Sequence, residues 1–351
     1  MSLAVRPASA AVADDRLQMM DLLGRNLPNI QDWHFEWRHF ANPAGPAWSW
    51  FLYEKPGGAV VGMASVLPRF MLVDGKPVVC GQVFEFVVDA GYRSLGPAVM
   101  LQRATFGPVD SGAIPICFDC PPHDQGMSTF DRLGMRAVTE VDRYALPLRS
   151  DAFLQKKLGV GPLAKPAIAA ANLLLRIKLS SRRAQRMPGI EISQFDGDFG
   201  DEFTQLDRSV SSLGLIRASR LAEDLNWRYR HSRSTFRTLI ARRSGELVGF
   251  LIAIDFDGRV TIWDLFGHQF DEVGGALIDA LVDLCRKKNA SLVEGYSSEG
   301  SPLRGALLEA GFTRRERLAR IVAYEKPDSP AGRMLHPGIR WAFTLVEPGL
   351  S

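Results

Sequence analysis

Cysteine is scarce in this sequence: four residues, Cys80, Cys117, Cys120 and Cys285, in a chain of 351. So few cannot staple a chain of this size, and the scarcity points to a reducing compartment. Cys117 and Cys120 stand in C-x-x-C spacing, but no second pair follows, so no metal site is expected. An excess of one charge is also missing. Lys and Arg number 42 against 39 Asp and Glu, a formal net charge of +3. That is too mild for a nucleic-acid partner, which needs a concentrated basic face. Long apolar runs are absent too. The longest, 167–175, contains Asn172 and is about half the length that spans a bilayer. Arg6, Asp14, Asp15 and Arg16 interrupt any signal-peptide core. These absences lead to the expectation of a soluble or peripheral, cytoplasmic protein.

What is present is an ordinary globular balance, 46% hydrophobic and 23% charged, long enough for two domains. An internal repeat divides the chain. Trp37-Arg38 and Trp227-Arg228 each precede a hairpin-like segment. The first hairpin joins Trp50–Tyr53 to Val60–Ala64 through Pro56-Gly57-Gly58. The second joins Thr238–Ala241 to Leu247–Leu251 through Ser244-Gly245. The order then continues in parallel. Strands at 83–88 and 260–266 lead to helices at 98–106 and 275–287. Short strands follow at 114–118 and 291–296, then short helices stopped by Gly134 and Gly311, then final strands at 143–146 and 319–323. The pattern predicts an α/β protein of two similar units, each a mixed sheet flanked by helices.

The expected boundaries are 1–150, a linker over 151–188, and 189–351. In the linker, Pro166 opens a helix-like stretch with Ala167, Ala170, Leu174 and Ile177 on one face. Arg176, Lys178, Arg182, Arg183 and Arg186 gather near its end. Two readings stand: a helix packed on a domain, or a basic helix over 166–186 that makes peripheral contact with the inner face of a membrane.

One loop carries the chemistry. After the strand ending Val87-Val88, the chain reads Asp89-Ala90-Gly91-Tyr92-Arg93-Ser94-Leu95-Gly96-Pro97-Ala98 and enters a helix. A loop feeding a helix start presents free N–H groups and partial positive charge, which suits a pyrophosphate. Arg93, Gly96 and Ala98 fit the Arg/Gln-x-x-Gly-x-Gly/Ala loop of the GNAT superfamily, the Gcn5-related N-acyltransferases, which the element order of both halves also resembles. The chain is therefore identified as a tandem GNAT-like protein with mixed, mostly antiparallel sheets. The resemblance implies acetyl-CoA or a longer acyl-CoA as co-substrate, held by Val87, Val88, Arg93, Ser94, Leu95, Gly96 and Ala98. Pro97 departs from the pattern, because it removes one donor.

GNAT enzymes transfer an acyl group from a thioester to an amine. The resemblance implies a carboxylate base on the strand before the loop, a place occupied by Glu85 in Phe84-Glu85-Phe86. A charged group inside a strand is costly to bury unless paired, so Glu85 is either that base or a partner of a basic residue. Where many relatives carry a tyrosine acid, this chain has Phe130; Ser128, Thr129 and His123 are the nearby alternatives. In the second half, Asp264 matches Glu85 in placement. His268 or Gln269 there stands as a remnant of the first loop position, but Asp271 and Glu272 lie where phosphates would sit and would repel them. One donor site per chain is expected, in the first half. Trp33, Trp37, Phe40, Trp48 and Trp50 form either core or the wall of an apolar pocket. The acceptor is expected to be an amino sugar, an amino acid or a lipid amine such as a sphingoid base. The alternatives are a Fem-type aminoacyl transferase and a non-catalytic protein that binds a ligand or partner.

Overall fold

The computed structural model describes residues 2–27, 31–121, 124–150, 189–230, 235–326 and 333–344. The 151–188 linker with its basic helix, and His123, lie outside the described residues. The first half runs β1 (Ser2–Ala8), α1 (Ala13–Asn26), α2 (Asp32–His39), β2 (Trp48–Lys55), β3 (Val60–Val73), β4 (Lys76–Val88), α3 (Leu95–Ala104), α4 (Gly107–Asp110), β5 (Ile116–Asp119), α5 (Asp124–Arg132) and β6 (Ala137–Pro147). The second runs β7 (Ile190–Phe195), α6 (Asp201–Ser209), β8 (Leu215–Ala218), α7 (Ala222–Tyr229), β9 (Phe236–Arg243), β10 (Glu246–Phe256), β11 (Arg259–Gly267), α8 (Phe270–Lys287), β12 (Leu292–Ser298), α9 (Pro302–Glu309), β13 (Thr313–Glu325) and β14 (Arg340–Trp341).

Local chemistry explains the turns. Asp74-Gly75 joins β3 to β4, and Asp257-Gly258 joins β10 to β11; all four residues have positive φ, between 50° and 76°. Asp-Gly tolerates the left-handed backbone that a two-residue hairpin requires. Helix α8 has Asp271 and Glu272 in its first turn and Arg286 and Lys287 in its last, matching its dipole. It buries Val273, Leu277, Ile278, Leu281 and Cys285, the spacing of one helical face. Gly62 and Gly249 let a helix lie close on the sheet. A Cβ at Gly249 would sit 2.5 Å from Val273, and one at Gly62 would sit 3.2 Å from Leu101 of α3.

Among the described residues the strands form one 14-stranded sheet in the order β1-β2-β3-β4-β5-β13-β6-β12-β11-β10-β9-β7, with β8 and β14 off this path. One late strand of each half, β6 and β13, pairs with the other half's strands. β13 lies antiparallel to β5, and β6 lies antiparallel to β12 along seven residue pairs, Leu292↔Pro147 to Ser298↔Val141. The two exchanged strands pair with each other at the centre. One apolar cluster accordingly draws Met71, Ile116 and Phe118 from the first half and Phe203, Phe250 and Phe343 from the second.

Candidate functional site

β4 and β5 run parallel for only two residue pairs, Gly81↔Cys117 and Gln82↔Phe118, and then part. Beyond that fork, β4 continues from Val83 to Val88 with β3 on its other edge. Among the described residues no strand pairs with this second edge of β4, which leads to the loop that opens α3. Here Pro97 occupies the third helical position, where its missing N–H costs no helix bond. The Ser94 N–H is spent on Tyr92 O at 2.8 Å, and the Ala98 N–H on Ser94 O at 3.3 Å. The first two helical N–H groups, those of Leu95 and Gly96, have no acceptor within the helix, and the Ser94 side chain does not cap them. The anion-binding capacity of this helix start therefore rests on two amides.

Arg93 is exposed, but its guanidinium is anchored. Nε donates to Val88 O at 2.9 Å, and Nη2 donates to Asn26 Oδ1 at 3.0 Å. Asp89 accepts from Arg25 and Asn26 at 2.8 Å each, and its bond to Arg25 holds the Asp89 carboxyl below its ordinary range. These contacts tie the loop to the end of α1; Arg25 spends its guanidinium on Asp21, Asp89 and Val60 O, and Arg93 is the cation two residues before the helix start. Val87 and Val88 turn their side chains into the core.

Glu85 sits on a bulge. The register of β3 against β4 jumps between Met63↔Val87 and Ser65↔Phe84, and Glu85 itself has φ +51°. The bulge sends the carboxylate toward α2, where His39 Nε2 lies 2.8 Å from Oε2 and Arg38 Nη1 3.4 Å from Oε1. The Glu85 side chain is 1% exposed and that of His39 is 0% exposed. The His39 ring stacks on Phe35 at 4.2 Å, and its Nδ1 is buried with no hydrogen-bond partner among the described residues. The second half repeats the arrangement. Asp264 is buried on a bulged stretch of β11 and pairs with Arg220 at 3.0 Å. Both central strands thus hold an inward carboxylate neutralised by an arginine.

Asp119 was not singled out by its place in an apolar strand, yet it ends β5 at the fork. Burial pushes its carboxyl up to about 7, against the lowering effect of the Cys120 N–H and of Gln102 on α3. Gln102 is itself buried and donates to Thr105 Oγ1 at 3.1 Å. Phe130 is buried among Phe106, Met127 and Val322 and supplies no hydroxyl. The nearby phenol belongs to Tyr324, on the exchanged strand β13. Burial and its 2.8 Å bond to Asp110 push that phenol up to about 12.

In the second copy, Gln269 begins α8 with φ 42°, and Arg243 bonds both Gln269 and Glu272. His268 Nε2 meets Ser209 Oγ at 2.7 Å. Acids occupy the first turn and their partners are internal, so the electrostatics of this helix start differ from those at α3. A cleft of about 720 Å³ lies beside α8, lined by Ile192, Leu239, Ala276 and Ala280 of the second half. Of the early aromatics, Trp37 stacks on Trp227, while Trp48 and Trp50 line a shallow cleft of about 430 Å³ with Pro7 and Pro108. Among the described residues no group of three or more His, Cys, Asp or Glu side chains could hold a metal, and no helix is long and apolar enough to cross a membrane.

No protein-family model matches the chain, and no curated protein sequence matches it. Solved structures do. A conserved Enterococcus faecalis protein described as a probable N-acyltransferase superposes with TM-score 0.64 at 11% identity, over 93% of this chain and 73% of that one. A GCN5-related N-acetyltransferase from Anabaena variabilis gives TM-score 0.61 at 13% identity, over 91% and 72%. Saccharomyces cerevisiae N-myristoyltransferase with bound myristoyl-CoA gives 0.55 at 12% identity, over 92% and 80%. These likenesses show a fold shared with the GCN5-related N-acetyltransferase structures, and the two halves of this chain repeat one order of elements.

Proposed function

We propose that the chain is an acyl-CoA-dependent N-acyltransferase with a single donor site in its first half. The observation that carries this reading is a β4 edge that, among the described residues, no strand pairs, leading to an uncapped helix start with Arg93 two residues before it. Pyrophosphate would bind at the Leu95 and Gly96 N–H groups, assisted by the helix dipole. From Val88 back to Gln82 the edge measures about 20 Å, room for an extended phosphopantetheine arm whose amides bond to the strand. The thioester would then lie near the fork.

The amine acceptor would approach from the α2 side, toward which the bulge turns Glu85. Its nitrogen attacks the thioester carbon, and Glu85 takes the surplus proton. Arg38 and His39 use one site on each carboxylate oxygen, so lone pairs remain for that proton. Because the carboxylate is nearly sealed from water, the acceptor must enter between Arg38 and the strand to reach it. The anchored, symmetrical counterpart at Asp264 with Arg220 favours a second reading, in which both carboxylates only brace their bulges and the protein binds acyl-CoA without turning it over.

Acyl-CoA binding tests the main reading. Acetyl-CoA and longer acyl-CoA should raise the melting temperature, because a ligand that binds only the folded state stabilises it. No shift with any chain length would refute the donor site.

A further inference from the structure

The acid that protonates the departing thiolate is missing from its familiar place, since Phe130 carries no hydroxyl. The fork supplies another group. Asp119 is the first β5 residue beyond the last parallel pair, Gln82↔Phe118. Side chains alternate along a strand, so Asp119 shares the face of Cys117, which packs with Val109 and Ile114 below α3 and α4. Gln102 on α3, the helix whose start would form the phosphate site, acts to lower its carboxyl, while the Gln102 amide itself donates to Thr105 Oγ1. Around it also lie the Cys117 thiol, which the Asp119 charge helps to raise, the Cys120 N–H and, across on β13, Val322. An arm anchored at Leu95 and Gly96 and laid along β4 ends at this point.

We infer that Asp119 donates the proton to sulfur as the thioester breaks, an inference that rests on the donor site proposed above. The amine nitrogen bonds to the acyl carbon, and the carbon–sulfur bond breaks with its electron pair going to sulfur. The Asp119 carboxyl proton passes to that sulfur and gives the free thiol. The proton lost by nitrogen passes to Glu85; over the full turnover Glu85 returns one proton to solvent and the Asp119 carboxylate takes one up. A carboxyl whose pKa lies near 7 is matched to such a task, since it is partly protonated at neutral pH.

Two measurements test this. The first needs no acceptor: calorimetry compares CoA with desulfo-CoA on the wild type and on Asp119→Asn. The wild type should prefer the thiol, and the substitution should shrink that preference by about three- to tenfold, the worth of one hydrogen bond. An unchanged preference overturns the inference while leaving the donor site intact. Failure of both ligands to bind the wild type overturns the donor site and the inference with it. The second measurement follows thiol release from acetyl-CoA with hydroxylamine as the amine. Asp119→Asn should lower kcat about 100-fold or more and remove the decline in kcat above pH 7. Gln102→Met guards against a misfolded Asn variant. Without the Gln102 bond that favours the carboxylate, the decline should move to higher pH; a decline that stays in place counts against Asp119.

Discussion

Trp37 and Trp227 bond to each other twice. The indole N–H of Trp37 donates to the backbone oxygen of Trp227 at 2.8 Å, and Trp227 returns the bond to Trp37 O at 3.0 Å, with the rings stacked at 4.8 Å. The contact is self-complementary, as in a two-fold dimer, although both residues belong to one chain. The Trp-Arg pair that marks the repeat in the sequence is thus the place where α2 and α7 meet.

Trp37→Phe and Trp227→Phe should each destabilise the fold by about 1 kcal/mol, since each removes one hydrogen bond and leaves a carbonyl unpaired. The double variant should lose less than the sum, because the two sites share one contact. Urea titration of the four proteins checks this. Strict additivity would mean that the reciprocal pair does not act as a unit.

Arg93→Ala should weaken acyl-CoA binding and also lower the melting temperature, since Arg93 ties Val88 to Asn26. Pro97→Ala should act in the opposite sense on affinity. It restores an N–H at the third helical position, worth about fivefold if that amide meets a phosphate oxygen. Calorimetry on both variants locates the phosphate site, and equal affinity in wild type, Arg93→Ala and Pro97→Ala would move it elsewhere.

Glu85→Gln should cut turnover by about 100-fold or more and leave acyl-CoA affinity unchanged. His39→Gln should preserve a donor toward Glu85 and retain most of the activity, whereas His39→Ala should not. Full activity in Glu85→Gln would confine Glu85 to bracing the bulge.

Asp119 links stability to pH. Its folded pKa is raised from 3.8 to about 7, so the folded state holds this proton over a range where the unfolded state releases it. Stability from this group is complete below about pH 4 and is lost as pH rises through about 7, by on the order of a few kcal/mol. Asp119→Asn should flatten that decline. A melting temperature that falls equally between pH 5 and 8 in both proteins would place the titration elsewhere.

The repeat was legible because periodicity and turn chemistry are local. Trp-Arg, the hairpin segments after it and the stops at Gly134 and Gly311 mark matching elements. Both stops have positive φ, 73° and 91°. Asp74-Gly75 and Asp257-Gly258 belong to the same pattern and signal the hairpins that open the two central strands. The strand exchange was hidden, because an apolar run near Val141 or Ile321 announces a strand but not its neighbour. The surroundings of the site were hidden for the same reason. Arg38 and His39 reach Glu85 across 47 and 46 residues of sequence, and Gln102 meets Asp119 only once α3 has packed on the sheet. The internal use of the Ser94 and Ala98 amides follows from where the helix begins, a boundary that hydrophobic spacing leaves uncertain by a few residues.

The crossing of β6 and β13 bears on how the two copies can diverge. Each sheet is finished by a strand from the other, so folding is a joint property and neither copy can be cut away without leaving its companion an open edge. The chain behaves as an obligate dimer written in a single reading frame. In such a pair, a mutation that ruins the ligand chemistry of one copy leaves its structural duty in force. Acids can therefore accumulate at the start of α8 while the fold that serves the loop before α3 stays whole.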